Sequence, residues 1–371
     1  MKVLIAPNNY KESISAEEAA LAIEAGLLTA DPTVETTRLP LSDGGEGFVK
    51  ALVNATQGDI IPCKASDPLG RDVTSFYGGI SRQTAVIEMA LASGLELLKE
   101  DEKDPWIATT YGTGVLIGDA LDKGFRNIIV GIGGSATNDA GMGMIQALGG
   151  KFYSENGEEL GHGARFLGRV DHTDLSAFRK KIGSATFTVA CDVTNPLLGG
   201  SGATRVYGPQ KGADQEMLDR LEAGIRHFSG KVNETFGTDY TDHPGAGAAG
   251  GMGYALLTFM GARLQPGYDI VAEYTDLEHK VITTDLIITG EGKIDDQTLQ
   301  GKVISRLGAT ALSHAKPVVA IGGIIDPSVD LKSAGILRSF SIMDRAADKE
   351  DAMQNAGDHL RMIGADVIAS L

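Results

Sequence analysis

Residues 127–139 read Asn127-Ile128-Ile129-Val130-Gly131-Ile132-Gly133-Gly134-Ser135-Ala136-Thr137-Asn138-Asp139. The apolar, β-branched start predicts a strand over 127–132. Glycines then break it, and small polar residues lead toward a helical pattern over 141–148. A strand, a glycine turn and a helix in succession form the repeating unit of a parallel α/β sheet. The same alternation recurs along the chain. Strand-like runs fall at 3–6, 37–41, 186–190, 286–289 and 318–321, and helix-like runs at 16–28, 112–123, 214–228, 250–260 and 305–313. Ser15 is an N-cap, with Glu18 as its capping-box partner. The expected fold class is α/β, with two α/β domains. Both chain ends, 1–60 and 281–371, would build a five-stranded parallel sheet of flavodoxin or Rossmann-like kind. Residues 61–280 would form a large inserted α/β domain, and the tail after Asp344 an amphipathic helix.

Composition narrows the function. Among 371 residues, 33 are basic and 49 acidic, a formal charge of −16, which suits neither nucleic acid nor an anionic membrane surface. The 49 glycines are roughly double the usual share of about 7% and lie in separate clusters, which implies many tight turns. Two cysteines, Cys63 and Cys191, make no disulfide framework and fit a reducing compartment. With no leader-like N-terminus and no run of about 18 apolar residues, a cytoplasmic protein is expected.

Four segments carry candidate chemistry. In the opening stretch, the Gly133, Gly134, Ser135, Thr137 and Asn138 turn offers backbone N–H groups and hydroxyls to an anion. Gly131, Gly133 and Ala136 match a loose dinucleotide pattern, with Glu155 about 20 residues on. The polar side chains and the acid at Asp139 oppose NAD there, and a polyphosphate with Mg²⁺ fits better. Ser42-Asp43-Gly44-Gly45-Glu46-Gly47 places two acids on a glycine turn, where Asp43 would hold a substrate hydroxyl, bind Mg²⁺ or accept a proton. Asp192, in Cys191-Asp192-Val193-Thr194-Asn195-Pro196, sits at a strand end as a base or metal ligand. Gly290, Glu291, Gly292, Lys293, Asp295, Gln297, Thr298 and Lys302 crowd a loop after the 286–289 strand, offering lysines for phosphate and acids for hydrated Mg²⁺. Lys11 is placed to reach a phosphate, and Arg71 to grip a small carboxylate. Gly245–Gly253 is too small for chemistry and suits close backbone packing. A Walker P-loop, a kinase H-R-D loop, H-E-x-x-H and G-x-S-x-G are all missing.

Taken in order, these motifs resemble the type 1 glycerate kinase family, bacterial enzymes that phosphorylate D-glycerate with ATP. The matching pieces are Lys11-x-Ser13-x-Ser15-Ala16, Ser42-Asp-Gly-Gly-Glu-Gly47, Asp67-Pro-Leu-Gly70, Ala92-Ser-Gly-Leu95 and Gly133-Gly-Ser-Ala-Thr-Asn-Asp139. They continue with Cys191-Asp-Val-x-Asn-Pro196, Gly208-Pro-Gln-Lys-Gly-Ala213, Gly245-Ala-Gly-Ala-Ala-Gly250, and Gly290-Glu-Gly-x-x-Asp-x-Gln-Thr298 with Gly301-Lys302. The resemblance implies a two-domain kinase with its active site in a cleft, and 2-phosphoglycerate as product, with the 3-phosphoglycerate-forming kinase as the alternative. Asn8-Asn9-Tyr10-Lys11-Glu12 stands where the family commonly shows Asp-Ser-Phe-Lys-Gly, so no negative charge is available at position 8. The segment after Lys302 also lacks the family's usual proline.

On this reading ATP and Mg²⁺ are the cofactors, and catalysis is positioning plus charge neutralisation. Asp192 orients the acceptor hydroxyl, with Asp295 second in line for that role. Asp43 and Asp295 hold Mg²⁺, Lys11, Lys293 and Lys302 neutralise phosphate, Ser42 and Asp43 face the substrate, and Arg71 clamps its carboxylate. Two rivals stand beside it: an NAD-dependent oxidoreductase acting on a small hydroxy acid, and a non-catalytic sugar-acid-binding regulator.

Overall fold

The structure, a computed structural model, describes residues 1–42, 44–299 and 303–370. The expectations at Asp43 and Lys302, and for the Gln297 side chain, lie outside what it describes. The chain divides into two compact units, Met1–Asp43 with Tyr268–Leu371, and Gly44–Gly267. The edges expected from the sequence are 60/61 and 280/281. The first edge shifts because the helix Phe48–Thr56 turns Val49 and Val53 onto Gly78 of the strand Asp72–Gly79. The second shifts because Tyr268 and Asp269 are tied to Thr310, at 3.2 Å, and Arg306, at 3.0 Å.

In the first unit five strands lie side by side in the order Ile336–Ser341, Val318–Ile325, Leu286–Ile294, Lys2–Ile5, Glu35–Arg38. Every pairing is parallel. Numbered along this unit, the order is 2-1-3-4-5, that of flavodoxin. Val3, Ile5, Leu286, Ile288, Val319 and Ile321 fill the sheet's core with Ile23, Leu27, Leu360 and Ile363. The helix Ala16–Ala30 opens with the expected box: Ser15 Oγ accepts the Glu18 N–H at 3.3 Å, and Glu18 accepts the Ser15 N–H at 2.9 Å. The tail is two helices, Lys349–Gln354 and Ala356–Ala369, rather than one. The longer one packs backbone to backbone on Ala16–Ala30, since a Cβ on Gly364 would lie 2.5 Å from the Ile23 carbonyl oxygen.

One expectation is corrected here. Gly290, Glu291, Gly292 and Lys293 do not form a loop, because the strand runs on through Ile294, paired with Val318–Ile325. The glycines permit this extension. Tyr10 packs at Gly290 and donates its hydroxyl to the Ile321 carbonyl at 2.7 Å, while Gly292 faces the Lys11 backbone.

In the second unit a six-stranded sheet runs Arg263–Gln265, Thr186–Ala190, Asn127–Gly131, Thr84–Glu88, Asp72–Gly79, Asp59–Ser66. The first four strands are mutually parallel, and the last two add on antiparallel. Lys151–Tyr153 and His172–Asp174 form a small separate pair. Ile87, Val130 and Val189 carry the core beneath the parallel strands. Because these strands are parallel, Thr84–Glu88, Asn127–Gly131 and Thr186–Ala190 all end on one edge, where open α/β sheets bind ligands. Among the described residues no helix is long and apolar enough to cross a membrane.

Candidate active site

At that edge the chain leaves Asn127–Gly131 and runs through the predicted turn. The following helix, Met142–Ala147, begins only after the turn has closed, so the turn is not a helix N-terminus as expected. Gly134 has φ +73°, a left-handed conformation that glycine adopts at little cost. Ser135, Thr137, Asn138 and Asp139 are all buried. Among the described residues, no acceptor reaches the backbone N–H of Gly134, Ser135, Thr137, Asn138 or Asp139. Thr137 Oγ1 and Asn138 Oδ1, fully buried, also lack partners. Gly134 is exposed and the residues after it are buried, so the waiting N–H groups and the Thr137 hydroxyl form an arrangement that suits an anion, while Asn138 Oδ1 is an acceptor and takes no part in it.

Asp139 does not point its charge at that place. It is fully buried and accepts from Thr110 N and Oγ1, at 2.8 and 2.9 Å, and from Gly141 N and Gly143 N, both at 3.2 Å. Burial pushes its pKa up, and these donors hold it down. The sequence objection that this acid would repel a phosphate is thereby removed. A lysine that sequence reasoning quoted but did not single out lies beneath the turn. Lys211 is 1% exposed and donates to Ser135 Oγ at 2.8 Å and to the Thr137 carbonyl at 2.6 Å. The expected packing role of Gly245–Gly253 is also seen: Gly250 and Gly251 lie against Thr137, Asn138 and Ala140, and the Gly250 carbonyl accepts the Ala140 N–H at 3.0 Å.

The Gly44–Gly47 turn packs on the same edge. A Cβ on Gly133 would lie 2.6 Å from Gly45 Cα, and the Gly133 N–H donates to the Gly44 carbonyl at 3.3 Å. Glu88 anchors this turn from below. It is 2% exposed and accepts the Gly47 and Val49 N–H groups at 3.1 Å each. Burial pushes its pKa up to about 7 against these donors. Asp192 stands at the end of Thr186–Ala190 as expected. It is exposed, and its Oδ2 accepts the Gly267 N–H at 3.3 Å. The neighbouring Cys191 thiol is pushed up to about 11, chiefly by burial, so it stays protonated.

The carboxyl edge of the first unit's sheet gathers a second group. Lys11 is exposed after the first strand, and Ser42 is buried after the second. Lys293 is exposed and pairs with Asp295 at 2.9 Å, which raises its pKa. Thr298 ties the group together: its Oγ1 donates to Glu291 Oε1 at 2.6 Å and accepts the Asp295 N–H at 3.1 Å. Glu291 is buried, and with burial its charge pushes the Tyr10 phenol above its usual range. A carboxylate such as Asp295, at a strand end and supplying hard oxygens, fits Mg²⁺, which takes one or two carboxylates beside phosphates and water.

Arg71 is committed elsewhere in the second unit. Its guanidinium pairs with Asp67 and with Glu102, at 2.6 and 3.3 Å to the latter, and these hydrogen bonds hold its pKa above the usual range. A substrate carboxylate would have to displace an internal one. Cys63 and Cys191 are both free thiols.

A two-unit α/β protein with a glycine turn of unmet donors at the carboxyl ends of parallel strands is the class these features define. Residues 3–371 match the glycerate kinase family, and the chain belongs to it. It is 47% identical to the glycerate kinase of Bacillus subtilis (strain 168), covering 100% of this chain and 98% of that one. It is 43% identical to the glycerate 2-kinase of Escherichia coli (strain K12), over the same shares. A crystal structure from Salmonella typhimurium LT2, described as a glycerate kinase 2, superposes with a TM-score of 0.86 at 43% identity, covering 100% of this chain and 98% of that one.

Proposed function

We propose that the protein is an ATP-dependent glycerate 2-kinase, moving the γ-phosphoryl group of ATP to the 2-hydroxyl of D-glycerate. The observation that carries this reading is the run of unmet backbone donors at Gly134, Ser135, Thr137, Asn138 and Asp139, broken only where the Ala136 N–H donates to the Ser93 carbonyl at 2.9 Å, set over the Lys211 ammonium. Such a run suits the phosphates of a nucleotide, as backbone amides cradle them without needing a Walker loop. Relatives named as a glycerate kinase and a glycerate 2-kinase support the substrate and the position.

Asp192 aligns the acceptor hydroxyl and takes its proton on a carboxylate oxygen as the new O–P bond forms. Asp295 would hold Mg²⁺, and the metal when bound neutralises charge on the transferring phosphate oxygens. Lys11 and Lys293 add positive charge on the first unit's edge. Arg71, already saturated by Asp67 and Glu102, is left out of the substrate set. The dinucleotide alternative has lost its footing, because it needs a helix opening directly on the glycine turn. ADP release measured with D-glycerate, L-glycerate and lactate tests the reading: turnover is expected with D-glycerate and strongly reduced with the other two.

A further inference from the structure

We infer that Lys211 is the built-in counter-charge of the phosphate turn, a positioning residue that holds Ser135 and Thr137 from beneath and balances the charge of a bound polyphosphate. The inference rests on assigning this turn to phosphate, and it adds a residue and a proton to that assignment.

The geometry leaves the ammonium without an acid of its own. Both of its hydrogen-bond partners, Ser135 Oγ and the Thr137 carbonyl, are neutral. Asp139 is the charge that acts on it, and the Asp139 oxygens are already taken by Thr109, Thr110, Gly141 and Gly143. From the other side the Lys103 carbonyl packs on Gly212, next to Lys211, and the Lys103 ammonium is paired with Glu100. A buried charge without a partner is costly, and an unbonded amide or hydroxyl beside it adds to that cost. The turn carries both liabilities at once: an unpaired cation below, and five backbone N–H groups with the Thr137 hydroxyl unmet. One polyanion seated on the turn relieves the cation and the donors together. Ser135 Oγ, accepting from Lys211, keeps its own proton to donate outward, so the cation's field passes through that hydroxyl to the ligand.

The electrostatics agree. Burial draws the Lys211 pKa down to about 7, with Asp139 pulling it back up. Above that pH the chain alone holds mostly neutral amine, and a bound anion restores the ammonium. Binding therefore takes up a proton.

Titration calorimetry with sodium tripolyphosphate, at about pH 8 in two buffers of different ionisation enthalpy, tests this. The wild type is expected to take up close to one proton per ligand bound. Lys211→Met, which keeps the apolar stem, is expected to weaken tripolyphosphate binding and raise the KM for ATP by about tenfold or more, through loss of the counter-charge and of its two hydrogen bonds to the turn. The KM for D-glycerate is expected to stay within about twofold. Binding without proton uptake in the wild type, unchanged tripolyphosphate affinity in the variant, or a loss confined to D-glycerate would each overturn the inference. The last result would make the turn a carboxylate site. If Lys211→Met does not fold, the wild-type proton count decides. Phosphorylation of D-glycerate, assayed separately, tells whether the kinase reading itself stands.

Discussion

Glu88 accepts the Val49 N–H at 3.1 Å, which places a fully buried carboxylate against the first turn of the helix that follows Gly44–Gly47. The partial positive charge there favours the anion, and burial opposes it. Burial wins, and the pKa rises to about 7 from an ordinary 4.5.

The sign of the resulting pH dependence follows. Between about pH 4.5 and 7 the unfolded chain has lost this proton and the folded chain keeps it. The stabilisation is therefore full below the unfolded value and is lost as pH rises through the folded one. Glu88→Gln removes the titration. Relative to the wild type, the variant should gain on the order of 2–3 kcal/mol between about pH 5 and 8. Urea unfolding at the two pH values checks this, and parallel pH profiles for the two proteins would refute it.

Gly133→Ala brings a methyl group to 2.6 Å from Gly45 Cα, a backbone atom that cannot swing away. Overpacking of this kind costs about 1–3 kcal/mol. Here it would part the two glycine turns, so kcat/KM for ATP should fall by about tenfold or more. Gly230→Ala, at a helix position with open space around the glycine, is the control and should leave kcat/KM unchanged. Equal kinetics for both variants would separate the turn contact from function.

Much of this architecture is legible in the sequence, and the misses have physical causes. The run 186–190 is a strand to the residue, because β-branched residues end cleanly at Cys191-Asp192. Ser15 and Glu18 announce their helix by local chemistry alone. The strand Asp59–Ser66 went unread: it contains Pro62 and exposed Lys64, which only an edge strand tolerates. Thr84–Glu88 is buried along its whole length, so it lacks the alternation that marks a strand. In the flavodoxin-like unit the fifth strand, Ile336–Ser341, is a largely exposed edge without an apolar pattern. The candidate turn at Gly133–Asn138 was legible from its glycines. Lys211 was not, because a lysine between Gln210 and Gly212 reads as surface, and only tertiary packing buries it. Glu88 is missed with its strand, and only tertiary packing shows it buried.

Asp192→Asn keeps the size of the side chain and the Oδ contact available to Gly267, and removes the proton acceptor. A general base contributes about 10²–10⁴-fold. The kcat should therefore drop by at least about a hundredfold, with the KM for ATP held within about threefold. An unchanged turnover number would take Asp192 out of the chemistry.

Asp295→Asn tests the first unit's part. The charge paired with Lys293 disappears, and with it a hard oxygen donor. The Mg²⁺ concentration for half-maximal rate should rise by about tenfold, while the thermal midpoint moves little, because this pair is solvent-exposed on the lysine side. A normal Mg²⁺ dependence would place the metal elsewhere.

The central claim is phosphoryl transfer to a particular oxygen. Incubation of the purified protein with ATP, Mg²⁺ and D-glycerate, followed by ³¹P NMR, reads that oxygen directly. The account predicts ADP and 2-phospho-D-glycerate in equal amounts. A phosphomonoester on the 3-hydroxyl would contradict the assigned position, and ATP left intact beside unmodified glycerate would contradict the function.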